Sequence, residues 1–544
     1  MANRKSKGNS WSHQLCSLYS LLVLSLGLAL PLVAAFQNGP ASQSVIYTKV
    51  FELYLYTTAI LYLLYLHWYL IRVHDPKRKQ HGAVAIQKLR PGGENGLTDS
   101  AETDNQGATT LPVHLGGRGI SVYLRYGVIL FSIGTIIYIG FHLTEFALEI
   151  VGRCKDVSAL TVTVGVVHLL FTFIQTFFVF KYHTIVVNKH LVFARFGFIH
   201  LMITNLCIWL LYVIVESSDD FFDDSKTTNS SGTATNHNDD TLGCTAIMSI
   251  TERASPYLYP CVLEYNIIAA AVMYTIYNTV GTLPNISEKK PHKPSIHETM
   301  DGVSKGCDKS NVGLFLGMLV AIITLISLSI YFVLFAEAGR DGYQWLYLIP
   351  FESMMIFVLM ASLIAVIVSV WKMRILDYRQ EQDGGVSVFL MLTGTLGGYI
   401  GNIFVGIALL HVVYTMDTTL ILTLISTFLS VIQITIQTFC IFDGGRRQVA
   451  DTNHVIQKPG RSALALLLIC NLCLWVIETL AVKKAFEHTT VFEDLYGNLP
   501  WKIITHATIP LIIFYRFHSA AELSGIWSRA YVPKVIEQVE VTKL

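Results

Sequence analysis

Side chains able to hold or pass a proton recur inside long apolar stretches of this chain, and some of them recur in register. Gln175 sits in Ile174-Gln175-Thr176-Phe177 and Gln437 in Ile436-Gln437-Thr438-Phe439. Asn205 opens Asn205-Leu206-Cys207-Ile208-Trp209, and Asn471 opens Asn471-Leu472-Cys473-Leu474-Trp475. Both pairs keep their order roughly 260 residues apart, the mark of a duplicated unit. An amide that faces hydrocarbon is costly, so these amides are expected to face one another or water.

Ionisable groups in the same stretches are functional candidates, because an isolated charge in hydrocarbon is expensive. Glu264, followed by Tyr265 and Asn266, lies about two turns inside its stretch, too deep for a short carboxylate to reach an interface. In the second half Gln433 and Gln437 lie one turn apart on one helical face, with Glu478 in the next stretch and Tyr515 in the last. Glu478 has no acidic counterpart in the first half, where the matching position is Tyr212. Histidine has the unperturbed pKa nearest physiological pH, so His142 (one turn from Glu145), His200 and His506 are candidate pH sensors. His168 and His518 read better as packed hydrogen-bonding residues. The outer-loop residues His237 and His488 read equally as sensors or as solvated side chains.

These residues need membrane-spanning helices to position them. The 544 residues are 52% hydrophobic and only 14% charged, with a mean hydropathy of +0.50, which excludes an ordinary soluble enzyme. Twelve apolar runs are long enough to span a bilayer: 15–36, 50–73, 121–148, 158–182, 192–216, 257–281, 311–336, 346–371, 386–413, 419–442, 461–483 and 500–520. The first is too long for a cleaved signal peptide and contains Pro31. The fold class predicted is an all-α polytopic membrane protein of twelve transmembrane helices in two parallel six-helix halves. The first half is 1–285, with a polar 74–118 loop and an acidic 217–256 loop. A linker, 286–310, joins it to the second half, 311–544. Arg4, Lys5, Lys77, Arg78, Arg446 and Arg447 all fall on one side, which places both termini in the cytoplasm of a cell-membrane protein. The sequon Asn229-Ser230-Ser231 then lies outside, as a glycosylation site requires.

With that orientation Glu52, Glu145, Glu149, Glu264, Glu352 and Glu478 fall in the outer half of their helices, and Arg125, Arg195 and Arg516 near the cytoplasmic side. An acidic outer vestibule is one reading. Interfacial snorkelling, above all for Glu52, Glu149 and Glu352, is the other. Gly394, Gly397, Gly398 and Gly401 form a small-residue stripe suited to close helix or sterol packing, including a dimer contact. The nine cysteines form no complete metal-ligand set. Cys154 and Cys244 are in outer loops and are able to pair, with Cys261 as competitor. No phosphate-binding loop and no zinc-protease motif is present, so no cofactor, no metal, no nucleic-acid partner and no enzymatic activity are expected.

Several longer motifs resemble the otopetrin family. They are Phe193-Ala194-Arg195-Phe196-Gly197-Phe198-Ile199-His200, Asn311-Val312-Gly313-Leu314-Phe315-Leu316-Gly317 and Phe442-Asp443-Gly444-Gly445-Arg446-Arg447. The most specific are Ile503-Ile504-Thr505-His506, Phe514-Tyr515-Arg516-Phe517-His518-Ser519 and Trp527-Ser528-Arg529-Ala530-Tyr531. The resemblance implies a proton-selective channel opened by extracellular acid, a homodimer whose subunits each contain two six-helix domains. It also implies a constriction in the first half at Gln175, Glu264 and Tyr265, and roles in permeation or gating for His200 and His506. A plain interhelical clamp of Gln175 with Glu264 is the alternative for that pair. For the whole chain the alternative is a proton-coupled secondary transporter of a small solute, for which a duplicated twelve-span body is also normal.

Overall fold

The computed structural model describes residues 2–36, 43–71, 113–115, 122–152, 159–229, 242–282, 310–338, 345–378, 385–415, 417–449, 451–482 and 490–532. Twelve long helices dominate them. In the first half these are α1 (Ala2–Phe36), α2 (Gln43–Tyr65), α3 (Val122–Gly152), α4 (Ala159–Tyr182), α5 (Leu191–Asn229) and α6 (Leu242–Thr279). In the second they are α7 (Asn311–Ala338), α8 (Trp345–Met373), α9 (Gly385–His411), α10 (Thr418–Gly444), α11 (Arg461–Ile477) and α12 (Asn498–Arg529). Short π-helical turns, Leu66–Ile71 and Glu478–Val482, extend α2 and α11.

Eleven of these helices are long and apolar enough to cross a membrane. The expected twelfth span falls on α12. It has the length, at 32 residues, but Lys502, Arg516, Glu522 and Arg529 dilute its apolar character. Large apolar side chains such as Leu18, Leu21 and Leu22 on α1 and Val312, Phe315 and Ile322 on α7 are exposed. Faces of that kind belong against lipid tails, since helices satisfy their backbone internally and need no water.

Short antiparallel ribbons tie the polar connections together. β1 (Val113–Leu115) pairs with β2 (Ile185–Val187), so the 2–3 connection meets the 4–5 connection. In the second half β3 (Asp377–Tyr378) pairs with β4 (Arg447–Gln448) at the corresponding place. Arg447 fastens that second ribbon: it is paired with Asp443 and donates from Nη1 to the carbonyls of Arg374 and Leu376, both at 3.0 Å.

Contacts divide the chain into two compact units. One holds Met1–Ile120, Val128–Leu211 and Tyr265–Lys290; the other holds Ser121–Gly127, Tyr212–Glu264 and Pro291–Leu544. The core of the first includes Leu55, Tyr56, Phe171, Phe198, Leu201 and Met273. In the second, one cluster centres on Tyr331, Tyr347, Val358 and Leu474, another on Val366, Ile434, Leu467 and Tyr515.

The glycine stripe of α9 is occupied within the chain. A Cβ on Gly394 would touch Tyr515, one on Gly397 would overlap Leu511, and one on Gly401 would meet Thr508 and Ile512, all on α12. Gly398 faces Ile434 of α10. The close packing predicted there is present, with neighbouring helices of the same chain as partners.

Candidate functional site

The repeated amides meet exactly as their cost in hydrocarbon requires, one buried node in each unit. In the first, α4 supplies Gln175 and Thr176, α5 supplies Asn205 and α6 supplies Tyr265. Gln175 Nε2 donates to Asn205 Oδ1 at 2.8 Å and to the Tyr265 hydroxyl at 3.1 Å. Asn205 Nδ2 returns a bond to Gln175 Oε1 at 3.0 Å and donates to the Leu201 carbonyl at 2.7 Å. The Thr176 hydroxyl lies 3.1 Å from the Tyr265 oxygen, whose own proton goes to the Thr172 carbonyl at 3.2 Å. Gln175, Asn205 and Tyr265 are all buried.

The second node repeats the first nearly atom for atom. Gln437 Nε2 donates to Asn471 Oδ1 at 2.9 Å and to the Tyr515 hydroxyl at 3.2 Å. Asn471 Nδ2 donates to Gln437 Oε1 and to the Leu467 carbonyl, both at 2.8 Å. Thr438 stands 3.1 Å from the Tyr515 oxygen, which donates to the Ile434 carbonyl at 3.0 Å. Gln437 is therefore the counterpart of Gln175, Asn471 of Asn205 and Tyr515 of Tyr265.

The second node is extended by a chain of further groups. Gln433 Nε2 donates to Gln437 Oε1 and to the Ser362 hydroxyl, each at 2.8 Å. Its oxygen accepts from Arg516 Nη1 at 2.6 Å, and Arg516 Nε donates to Glu478 Oε1 at 3.0 Å. Arg516 is wholly buried and pairs with Glu478, so two residues that the sequence reading assigned to opposite depths meet. The other oxygen of Glu478, Oε2, has no hydrogen-bond partner among the described residues. Glu478 also lines a cavity of about 90 Å³, together with Glu352, Thr423, Ser426, Asn402 and Thr508. Water needs several polar partners and about 10–15 Å³ of such space, so this cavity suits a small group of waters. In its wall Glu352 accepts from Thr423 at 3.1 Å and from Ser426 at 2.7 Å. At the corresponding place in the first half Glu52 is paired with Lys49 at 2.9 Å and borders a space of only about 10 Å³.

The remaining candidates are placed apart from the nodes. Glu264 precedes Tyr265 on α6, and consecutive helical residues point about 100° apart. Tyr265 faces the amide node, whereas the buried Glu264 carboxylate has the Trp475 indole as its neighbour. His200 is clamped, with Nδ1 2.7 Å from the Tyr19 hydroxyl and Nε2 3.1 Å from the Leu55 carbonyl; Tyr19 continues to Tyr54 at 3.0 Å. His506 Nδ1 donates to the Lys502 carbonyl at 2.8 Å, and its ring lies 6.3 Å from that of Tyr259. His142 and Glu145 are 3.6 Å apart on one face of α3. The side chains of Asn229, Glu149 and Cys244, and Cys154, His237 and His488 entirely, lie outside the described residues. Sequence reasoning missed Arg516 and the two-way use of Gln433. The signal available was that Arg516 adjoins Tyr515 while Asn266 adjoins Tyr265.

Comparison with known proteins adds an independent line. The sequence profile of the otopetrin family matches residues 123–244 and 223–517. The chain is 28% identical to proton channel OtopLc of Drosophila melanogaster, over 97% of this chain and 36% of that protein. It is 24% identical to proton channel OTOP2 of Homo sapiens over 75% of this chain and 82% of that one. For proton channel OTOP1 of Danio rerio the figures are 20%, 75% and 78%. The chain thus spans about a third of the length of the fly protein and about four fifths of the vertebrate ones.

Proposed function

The chain belongs to the otopetrin family, and on that footing we propose that it is a proton-selective channel, not an enzyme, which extracellular acid opens and which conducts protons into the cell. The observation that carries the reading is the pair of buried Gln–Asn–Tyr nodes. The relatives, each named a proton channel, support it.

A proton moves by exchange along hydrogen bonds, so a path for it needs donors, acceptors and intermittent water, not a hole of ionic size. Each node has those groups, and its reciprocal amide bonds close the space a hydrated metal cation would need. In the second half, protons collect in the cavity on Glu352 and on the free oxygen of Glu478, then pass towards Gln437 and Tyr515 through inserted water. In the first half Gln175, Asn205 and Tyr265 form the constriction, with Glu264 as a carboxyl group flanking it. Gating is assigned to His200, His506 and the His142–Glu145 pair. The setting is a homodimer in the cell membrane, both termini cytoplasmic, glycosylated at Asn229 and in contact with lipid.

Whole-cell current on acidifying the bath, with large impermeant ions on both sides, tests this. The expected result is an inward current whose reversal potential follows the proton gradient, with matching cytosolic acidification. Silence until a small solute is added would move the chain to the proton-coupled transporters.

A further inference from the structure

A guanidinium does not release its proton in a protein, so Arg516 cannot be a stepping stone for protons. It nevertheless occupies the second-half network, fully buried, with Nε on Glu478 Oε1 and Nη1 on Gln433 Oε1. Because arginine only donates, the Gln433 oxygen must face it and the Gln433 amide nitrogen must face away, towards Ser362 and Gln437. The Gln437 nitrogen in turn faces Asn471 Oδ1 and the Tyr515 hydroxyl. Gln433 and Gln437 are thus aligned in series, oxygen towards the charge and nitrogen away from it.

Scaffolding does not explain this expense. The first half builds the same Gln–Asn–Tyr node with Phe171, Tyr212 and Asn266 where the second has Gln433, Glu478 and Arg516. The node holds without an ion pair, and a buried pair is weak evidence of added stability. What the charge adds is a fixed field across this polar segment.

We propose that Arg516 is the selectivity-determining residue of the second-half path: Glu478 draws cations to the cavity wall, and the guanidinium behind it turns metal cations back. A proton beside the guanidinium is held as a covalent O–H on Glu478 Oε2, and the energy of that bond offsets the repulsion before the proton is handed on through water, whereas a metal ion forms no such bond and meets the like charge uncompensated. The proposal rests on the reading of this network as a conduction path.

The test compares wild type with Glu478→Gln/Arg516→Gln, which removes both charges and leaves neither partner buried alone. At a fixed proton gradient, bath sodium is exchanged for N-methyl-D-glucamine and the reversal potential is followed, with surface density measured by biotinylation. Wild type is expected not to respond. The double variant should gain sodium permeability relative to protons by about tenfold or more, the scale set by a lost like-charge repulsion. A double variant that still follows the proton gradient alone would overturn the assignment. Gln437→Leu in the wild-type background separates the two failures. If it leaves proton current intact, the path reading itself fails; if it lowers the current while the double variant stays selective, only the filter assignment falls.

Discussion

At the scale of residues, each node is closed by one phenolic oxygen. The Tyr515 hydroxyl takes the second Gln437 proton, contacts Thr438 and donates to Ile434, and Tyr265 does the same work against Gln175, Thr176 and Thr172. Tyr515→Phe would leave a Gln437 N–H and a backbone carbonyl buried without this partner, a cost of about 1–3 kcal/mol. The expected outcome is a lower melting temperature in detergent together with a smaller acid-evoked current at equal surface density. Tyr265→Phe should behave alike, and an unchanged current in both would remove the nodes from conduction. The amides and tyrosines were legible in the sequence because a lipid-facing Gln or Asn is costly, which leaves few places for them to be. Arg516 was not. A long side chain reaches several ångströms from its own backbone, and the rule that places basic residues towards the cytoplasm cannot see Glu478 one helix away.

At the scale of helices, close approach sets the geometry. Gly397 of α9 leaves no room for a Cβ against Leu511, and neighbouring Gly394 brings the same helix onto the Tyr515 backbone. A leucine at 397 would push α9 away from α12 and, through it, Tyr515 away from Gln437. Gly397→Leu is expected to cost about 1–3 kcal/mol by overpacking, read as reduced surface expression and a lowered melting temperature. Gly406→Ala, where the nearest side-chain atom is 3.8 Å from the added Cβ, serves as the tolerated control. Eleven of the twelve span positions were legible from length and hydropathy. The α9 stripe was legible as a packing surface but not in its partner, since small residues say that something comes close and not what. The β-ribbons escaped because strands of two or three residues are too short to show a period. The division of contacts escaped for another reason. Sequence reading cuts at loops, whereas α3, α5 and α6 each contribute residues to both units.

At the scale of the whole molecule, the main feature is a node built twice with different surroundings. The nodes are alike, yet the second carries an ion pair, an extra glutamine and a larger acid-lined cavity. The first has Phe171, Tyr212 and Asn266 at the matching positions and a carboxylate, Glu52, already neutralised by Lys49. If each half conducts on its own, Gln175→Leu and Gln437→Leu should each leave part of the acid-evoked current at equal surface density, and the double variant should abolish it. Currents through parallel paths add, and Gln175 and Gln437 have separate sets of hydrogen-bond partners. The two residual currents need not match. They are expected to differ in size, because the second path carries an ion pair and a larger cavity that the first lacks, and both should be indifferent to bath sodium, because reciprocal amide bonds close each node to a hydrated cation. Complete loss in one single variant, with no effect of the other, would mean that only one half conducts. The diverged half would then be the place to look for gating, since its polar groups remain buried and paired without carrying the ion.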